Sequence, residues 1–345
     1  MQLQVLRSTE ALDELEEEWN QLLAVSASHV PFLRHEYLTT WWQTLGGGEW
    51  SQGDLFVVIA RDGEGRLAGI APMFFGQNRQ GEPALMLLGS IEISDYLDVI
   101  AKPGDLPQFI EALFDFLDRG DAPDWKVLDW YNLLENSPTL EALKAAARRC
   151  GWTYAQEKLQ HCPYIPLPND WEAYLASLDK KQRHEIRRKM RRIESNPATV
   201  HWYIVTDEDR LETEIDDFLA LMAQDEEKEL FLTDVMRSQM REAVHAAFKS
   251  GWLQLSFIEV GGKKAAGYLN FDYGNHIWVY NSGLNYEFGE LSPGWVLLGY
   301  LLRWAIENGR SAYDFMRGDE AYKYRFGAID RFVVRATIRR KGLAS

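Results

Sequence analysis

The sequence predicts an α/β (α+β) protein built from two similar units in tandem, and three observations carry that prediction. A chain of 345 residues is long for one hydrophobic core, so two domains of ordinary size are expected. A hairpin, helix and strand recur in the same order in both halves. Between the copies lies a cluster of prolines, Pro163, Pro166 and Pro168, that breaks regular structure.

Composition sets the outer bounds. With 46% apolar and 13% aromatic residues, the chain has ample material for packed interiors and is not disordered as a whole. A formal net charge of −15 argues against a surface that grips nucleic acid everywhere, while leaving room for a local basic patch. The N-terminal residues are acidic and lack the basic start and apolar run of a secretory signal, and no stretch is apolar for eighteen residues. Cys150 and Cys162 are too few for a disulfide framework or a cysteine-built zinc site. The chain therefore reads as cytoplasmic, with no membrane span. The histidines show no His-x-x-x-His spacing, so no metal is expected.

The repeat is explicit. Leu55 to Gly76 and Leu253 to Gly274 have equal length, and Gly63, Gly69 and Gly76 fall opposite Gly261, Gly267 and Gly274. Each segment reads as two apolar strands joined by a glycine-containing turn. Downstream, Leu106-Pro107 opens a helix-period stretch followed by the strand Val127-Leu128-Asp129-Trp130. Ser292-Pro293 opens another, followed by Tyr313-Asp314-Phe315. Further helices are expected near 10–24, 36–45, 211–224 and 234–249, with one from Trp171 and a basic one near 180–195.

The basic helix stands out in an acidic protein. Lys180, Lys181, Arg183, Arg187, Arg188, Lys189, Arg191 and Arg192 crowd it, while Ile186, Met190 and Ile193 form an apolar stripe. Arg183, Arg187 and Arg191 make an i, i+4 column. It is either a solvated face partly neutralised by Glu185 and Glu194, or a site for an anionic partner. Candidate partners are coenzyme A phosphates, an acyl carrier protein, a tRNA or an anionic glycan precursor, with Arg183 and Arg187 as substrate-binding residues.

Several runs resemble one family. Tyr280-Asn281-Ser282-Gly283-Leu284, Leu291-Ser292-Pro293-Gly294, and Tyr313-Asp314-Phe315 with Arg317-Gly318-Asp319 and Tyr322-Lys323 are similar to the GNAT-fold family that includes CelD-like cellulose-biosynthesis accessory proteins. Pro31-Phe32-Leu33, Trp41-Trp42, Ser94-Asp95-Tyr96-Leu97-Asp98 and Arg183 to Arg191 look like the same family. It is related to the FemABX aminoacyltransferases. The resemblance implies tandem GNAT-like domains, each a mixed, mostly antiparallel sheet flanked by helices. A degenerate copy is expected over 1–162 and an acyltransferase domain over 163–345, the first supplying part of the acceptor pocket. One departure is visible: Glu290 to Trp295 stands where the family carries an Arg/Gln-x-x-Gly-x-Gly/Ala pyrophosphate loop.

Direct acyl transfer to an amine needs a neutral nucleophile, a polarised carbonyl and a protonated leaving group. By the resemblance, the strand at Ile277 to Asn281 splays from its neighbour and the next helix start faces the donor phosphates. Ser292, Pro293, Gly294 and Asn281 are thus cofactor-binding candidates. Ser is a helix cap, Pro suits the first helical position and Gly admits an anion near the backbone, although Ser-Pro-Gly also merely starts helices. Arg317, Asp319 and Lys323 follow the last repeat strand. There Asp319 is placed to take a proton from the amine, and Lys323 to pair with Asp319 or steady negative charge; a surface ion-pair cluster is the plainer alternative. Tyr280 is a candidate to protonate the leaving thiolate or stack on the acceptor, or else a core aromatic. Asp95 and Asp98 either bind an acceptor amino or hydroxyl group or order their own loop. The expected activity is N-acyl transfer from a thioester, with acetyl-CoA or another acyl-CoA as co-substrate, to an amine on a small molecule or saccharide. O-acylation, a FemABX-like tRNA-dependent aminoacyl transfer and a non-catalytic accessory role in polysaccharide assembly stay open.

Overall fold

The computed structural model describes residues 1–119 and 122–340. The chain divides into two compact units, one of residues 1–160 together with the chain from Phe332, the other His161–Arg331.

The first unit begins with β1 (Gln2–Leu6), α1 (Thr9–Asp13), α2 (Glu16–Leu23) and α3 (His35–Gly48). Ser8 caps α1 by accepting from the Ala11 N–H. Short strands follow: β2 (Asp54–Leu55), β3 (Val57–Arg61), β4 (Leu67–Ala71), β5 (Met73–Gln77), β6 (Pro83–Leu87) and β7 (Ile100–Ala101). The expected hairpin is β3–β4, but Pro72 interrupts its second strand, because proline supplies no ladder N–H. Past Pro72 the chain runs on as β5 in a different sheet. The unit continues with α4 (Leu106–Asp118), β8 (Val127–Leu134), α5 (Pro138–Cys150) and β9 (Thr153–His161). Both helices carry proline in the first turn, Pro107 second in α4 and Pro138 first in α5, where the missing N–H costs nothing. Phe109, Leu113 and Leu117 of α4 and Leu143 and Ala147 of α5 are buried against the strands.

The second unit runs β10 (Tyr164–Pro166), α6 (Trp171–Ser177), α7 (Lys180–Glu194), β11 (Val200–Ile204), α8 (Leu211–Met222), α9 (Glu226–Phe231), α10 (Asp234–Lys249), β12 (Leu253–Val260), β13 (Lys263–Tyr273), β14 (His276–Leu284), α11 (Pro293–Glu307), β15 (Ala312–Asp314) and α12 (Ala321–Arg325). Its single sheet has the order β10-β15-β14-β13-β12-β11. One face packs on α6, α7 and α11, and the other on α8 and α10. In α7, Asp179 caps the first turn and Ile186, Met190 and Ile193 are buried, worth about 1.5–3 kcal/mol each. Lys180 and Lys181 at its N-terminus oppose the helix dipole, so packing rather than electrostatics holds this helix.

The final strand, β16 (Phe332–Arg339), corrects the expected contiguous division at 162/163. It leaves the second unit and inserts antiparallel beside β8, giving the first unit a sheet of order β2-β5-β6-β8-β16-β9 next to the sheet β1-β3-β4-β7. Val334, Ala336 and Ile338 are fully buried there. Reciprocally, β10, which follows the first unit in sequence, pairs antiparallel with β15. In each half the Asp-aromatic strand would otherwise expose an unpaired edge, and burying that edge decides where these strands go.

Candidate active site

In the second unit, β14 and β15 are parallel but meet only at His276, Ile277 and Trp278. Beyond Trp278, β14 runs on for six more residues, and among the described residues no strand pairs with it on that side. Its register against β13 slips between Asn281 opposite Leu269 and Val279 opposite Asn270, which leaves Tyr280 as a bulge. The result is a wedge between two parallel strands, and a cleft of about 320 Å³ lies at its mouth. Ser282 and Leu284 of β14, Asn285, Tyr286 and Gly289 after it, and Ser292 to Trp295 with Leu298 of α11 line the cleft. Tyr268 of β13, Tyr322 of α12 and Lys189 of α7 complete it.

Glycines make the wedge possible. A Cβ on Gly283 would lie 2.6–2.8 Å from Leu221 and the Met222 backbone, so α8 sits directly on this strand. A Cβ on Gly294 would lie 2.5 Å from the Leu284 side chain, so α11 begins against the strand end. Ser292 differs from the expectation of a capping side chain. It adopts the left-handed conformation (φ 53°) and makes no side-chain cap bond. Tight entry from the preceding 3₁₀ turn sets that geometry, and the Ser292 carbonyl accepts from the Val296 N–H.

The expected site residues divide sharply. Ser292, Pro293 and Gly294 line the cleft. Asn281 does not; its carboxamide oxygen accepts from the adjacent Ser282 N–H at the bulge. Tyr280 is also outside the lining and packs on Phe271, with centroids 5.1 Å apart. Tyr322 lies in the cleft, and burial pushes its phenol well above the ordinary value, with the neighbouring Tyr268 adding to the shift. Its spacing from Tyr313 was visible in the sequence, but the kink between β15 and α12 that turns it inward was not.

Lys323 is 3% exposed, and its ammonium donates to the carbonyls of Phe315, Arg317 and Gly318 at 3.0–3.3 Å. Its ion-pair partner is Glu320 at 2.8 Å, not Asp319 as anticipated. Gly318 at φ 112° turns the loop so that the Glu320 carboxylate folds back over it. Asp319 is exposed and Arg317 is partly buried. Asp314 is buried and pairs with Arg331, while its other oxygen accepts from the Met316 N–H.

Arg183 and Arg187 are not in the cleft. Arg183 reaches the Ala176 carbonyl, and Arg187 pairs with Glu172. The α7 residue that does reach it is Lys189, whose ammonium sits 4.3 Å over the Trp295 ring and 3.5 Å from Glu185. No carboxylate among the described residues pairs with Lys180, Lys181, Arg183, Arg191 or Arg192.

Asp95 and Asp98 lie in the first unit and are 4% and 2% exposed. Ser28 and Ser137 hydroxyls each donate to Asp98 at 2.5 Å, and the Val99 N–H donates at 2.8 Å. Burial raises the Asp98 pKa against these hydrogen bonds. This carboxyl ties segment 88–99 to the start of α5, so loop ordering is what its contacts describe. Among the described residues no group of three or more His, Cys, Asp or Glu is placed to hold a metal ion, and no helix is long and apolar enough to cross a membrane.

Residues 180–324 match the family model of the acetyltransferase (GNAT) domain. No curated protein is significantly similar in sequence. Among solved structures, FemX is similar with a TM-score of 0.67 and 11% identity, over 97% of this chain and 97% of that one. The C-terminal domain of a putative lysylphosphatidylglycerol synthetase from Agrobacterium fabrum gives 0.56 and 11%, over 96% and 92%. L-PGS from Bacillus licheniformis gives 0.55 and 12%, over 98% and 93%. At these identities the likeness speaks for the fold alone. Together with the two repeated units, these findings give the chain a tandem GNAT-like fold whose second unit matches the acetyltransferase (GNAT) domain model over residues 180–324.

Proposed function

We propose that the second unit transfers an acyl group from a thioester, with acyl-CoA as donor, to an amine on a small molecule or saccharide. The observation that carries this reading is the open wedge between β14 and β15, which ends on the N-terminus of α11. An extended donor arm fits along the free edge of β14, and phosphate at the helix start is favoured by the unpaired N–H groups of the first turn. Gly294 keeps that backbone accessible, and Lys189 places a cation beside it. This substitutes for the missing Arg/Gln-x-x-Gly-x-Gly/Ala loop.

In the transfer, the amine nitrogen bonds to the carbonyl carbon, the C–S bond breaks, and the amine loses a proton while the thiolate gains one. Tyr322, which lines the cleft and is held protonated by burial, donates a hydrogen bond to the leaving sulfur in place of Tyr280, and the thiolate takes its proton from solvent. Asp319, exposed on the loop before α12 and outside the cleft lining, takes the amine proton through water. Lys323 acts through the loop it fastens, and Arg317 is part of that loop.

A second reading is favoured by one observation, the carboxylate-free cations of α7 next to the cleft. They suit a polyanionic donor such as an aminoacyl-tRNA, in line with the FemABX resemblance and the FemX fold. Thermal shift with coenzyme A, acetyl-CoA and an aminoacyl-tRNA separates the two, because a ligand at 100 times its Kd stabilises by about 2.7 kcal/mol. A shift with coenzyme A that changes little with salt supports the first reading. A shift only with the tRNA, falling steeply with salt, replaces it.

A further inference from the structure

We infer that Lys228 is a catalytic residue of this site, donating a hydrogen bond to the carbonyl oxygen of the group being transferred. This rests on the acyl-transfer reading above and extends it to a residue of α9.

Past Trp278, the backbone of β14 has no strand on the wedge side, so its carbonyls there need donors from elsewhere. The Ser282 carbonyl finds one in the Lys228 ammonium, 2.5 Å away. Ser282 itself lines the cleft. A neutral donor would satisfy that carbonyl without the cost of removing an ammonium from water. That cost is real here, since burial lowers the Lys228 pKa, opposed by Asp225 and Glu320, the charged groups facing it. The helix that carries it gives no packing reason for the arrangement either. Lys228 is the half-buried residue of α9, its other five residues are exposed, and Leu230 is 80% exposed. The Asp225 side chain caps α9 by accepting from the Glu227 and Lys228 N–H groups, which orients the lysine towards β14.

The chemistry follows from the donor count. An ammonium has three N–H bonds, and one is spent on Ser282. Lys228 is not itself in the cleft lining, so the remaining N–H bonds serve a donor whose carbonyl lies beside Ser282 on the β14 edge. As the amine attacks the carbonyl carbon, the C=O pair moves onto oxygen and Lys228 stabilises that charge. The pair returns when the C–S bond breaks, and Lys228 stays protonated throughout. Loss of one such donor commonly costs 10²–10³-fold in kcat.

The test is thiol release from acetyl-CoA with a panel of primary amines, for the intact protein and for K228M, K228Q and K228R. The expected result is at least a 30-fold loss of kcat in K228M and K228Q, with KM for acetyl-CoA changed less than about threefold. K228R should keep a tenth or more of kcat, and its activity should persist to higher pH than that of the parent. Wild-type kcat in K228Q, an effect confined to KM, or a loss that tracks lowered Tm overturns the assignment. If the parent protein releases no thiol with any amine, the acyl-CoA reading fails on its own. The same four proteins are then compared for deacylation of aminoacyl-tRNA, where the same ranking supports Lys228 and equal rates overturn it. A parent inert with both donors overturns both.

Discussion

The two units share a wedge and treat it in opposite ways. In the second, β14 is continuous past its single bulge and its wedge is open. In the first, the matching strand is cut in two. Its halves are β6, parallel to β8 at Ala84–Val127 and Leu85–Leu128, and β7, opposite Gly69 at Ala101 just as Gly283 lies opposite Gly267. Segment 88–99 sits between the halves and fills the gap. The Leu97 N–H donates to the Asn132 carbonyl, and the Asn132 carboxamide donates to the Ile91 and Ser94 carbonyls at 2.7 and 2.9 Å. Tyr37 adds a bond to the Ile93 carbonyl at 2.8 Å. Where the first unit fills the gap with an inserted segment held by Asn132 and Tyr37, the second inserts no segment and sets two lysine ammoniums there, Lys228 on Ser282 and Lys323 on the 315–318 loop. An inserted segment closes its wedge. Lysine ammoniums on the strand edge leave room for a ligand.

Breaking what the two units share should have the largest effect. Asp129 is fully buried and held by Arg335 at 2.6 and 2.8 Å, as Asp314 is held by Arg331. Asp129→Ala is expected to cost about 3–5 kcal/mol by leaving the guanidinium unpaired, read as a fall in the denaturant midpoint. Asp314→Ala should be similar, because Asp314 and Arg331 are buried to nearly the same degree as Asp129 and Arg335.

Next comes the plug. Asp98→Ala removes the acceptor of two hydroxyls and an amide, and about 2–3 kcal/mol of stability should go with it. Coenzyme A affinity should stay unchanged, because the open cleft is elsewhere. The pH dependence of this carboxyl has a definite sign. Its folded pKa is raised, so its contribution is full below the unfolded value of about 3.9 and is lost as pH rises through the folded pKa. Asp98→Asn should flatten the stability profile across that window, measured by urea unfolding from pH 3 to 7.

On the open side, Gly283→Ala should destabilise by about 1–3 kcal/mol through collision with the α8 backbone, and should weaken ligand binding with it. Lys189→Gln should leave Tm unchanged and weaken coenzyme A binding by about three- to tenfold, less at high salt, by calorimetric titration. The smallest change is Ser292→Gly. With no cap bond to lose and a left-handed backbone to relax, it should be neutral or stabilising by up to about 1 kcal/mol in the same unfolding assay.

Much of this was readable in the sequence because the signals are local. The glycine spacing located both hairpins, the prolines located the starts of α4 and α11, and Ile186, Met190 and Ile193 defined the buried stripe of α7. Ser292 to Gly294 could be singled out for the same reason, as a short run with its own turn and helix chemistry. Asp314 could be read as scaffold common to both halves because its counterpart Asp129 recurs in register.

What tertiary structure decided involves residues far apart in the chain. No local pattern says that β16 leaves the unit it follows, since the choice depends on which strand edge needs a partner. Nor does spacing reveal that Lys323 turns inward to three carbonyls while Glu320, not Asp319, meets its charge. Lys189 and Lys228 were two basic residues among many until packing brought one to Trp295 and the other to Ser282. The sequence by itself thus determined the repeated scaffold, because helix starts, turns and apolar periodicity act over a few residues. Only the folded chain decided which copy of the wedge stays open, because that depends on whether a segment between the strand halves packs into the gap and finds distant partners there.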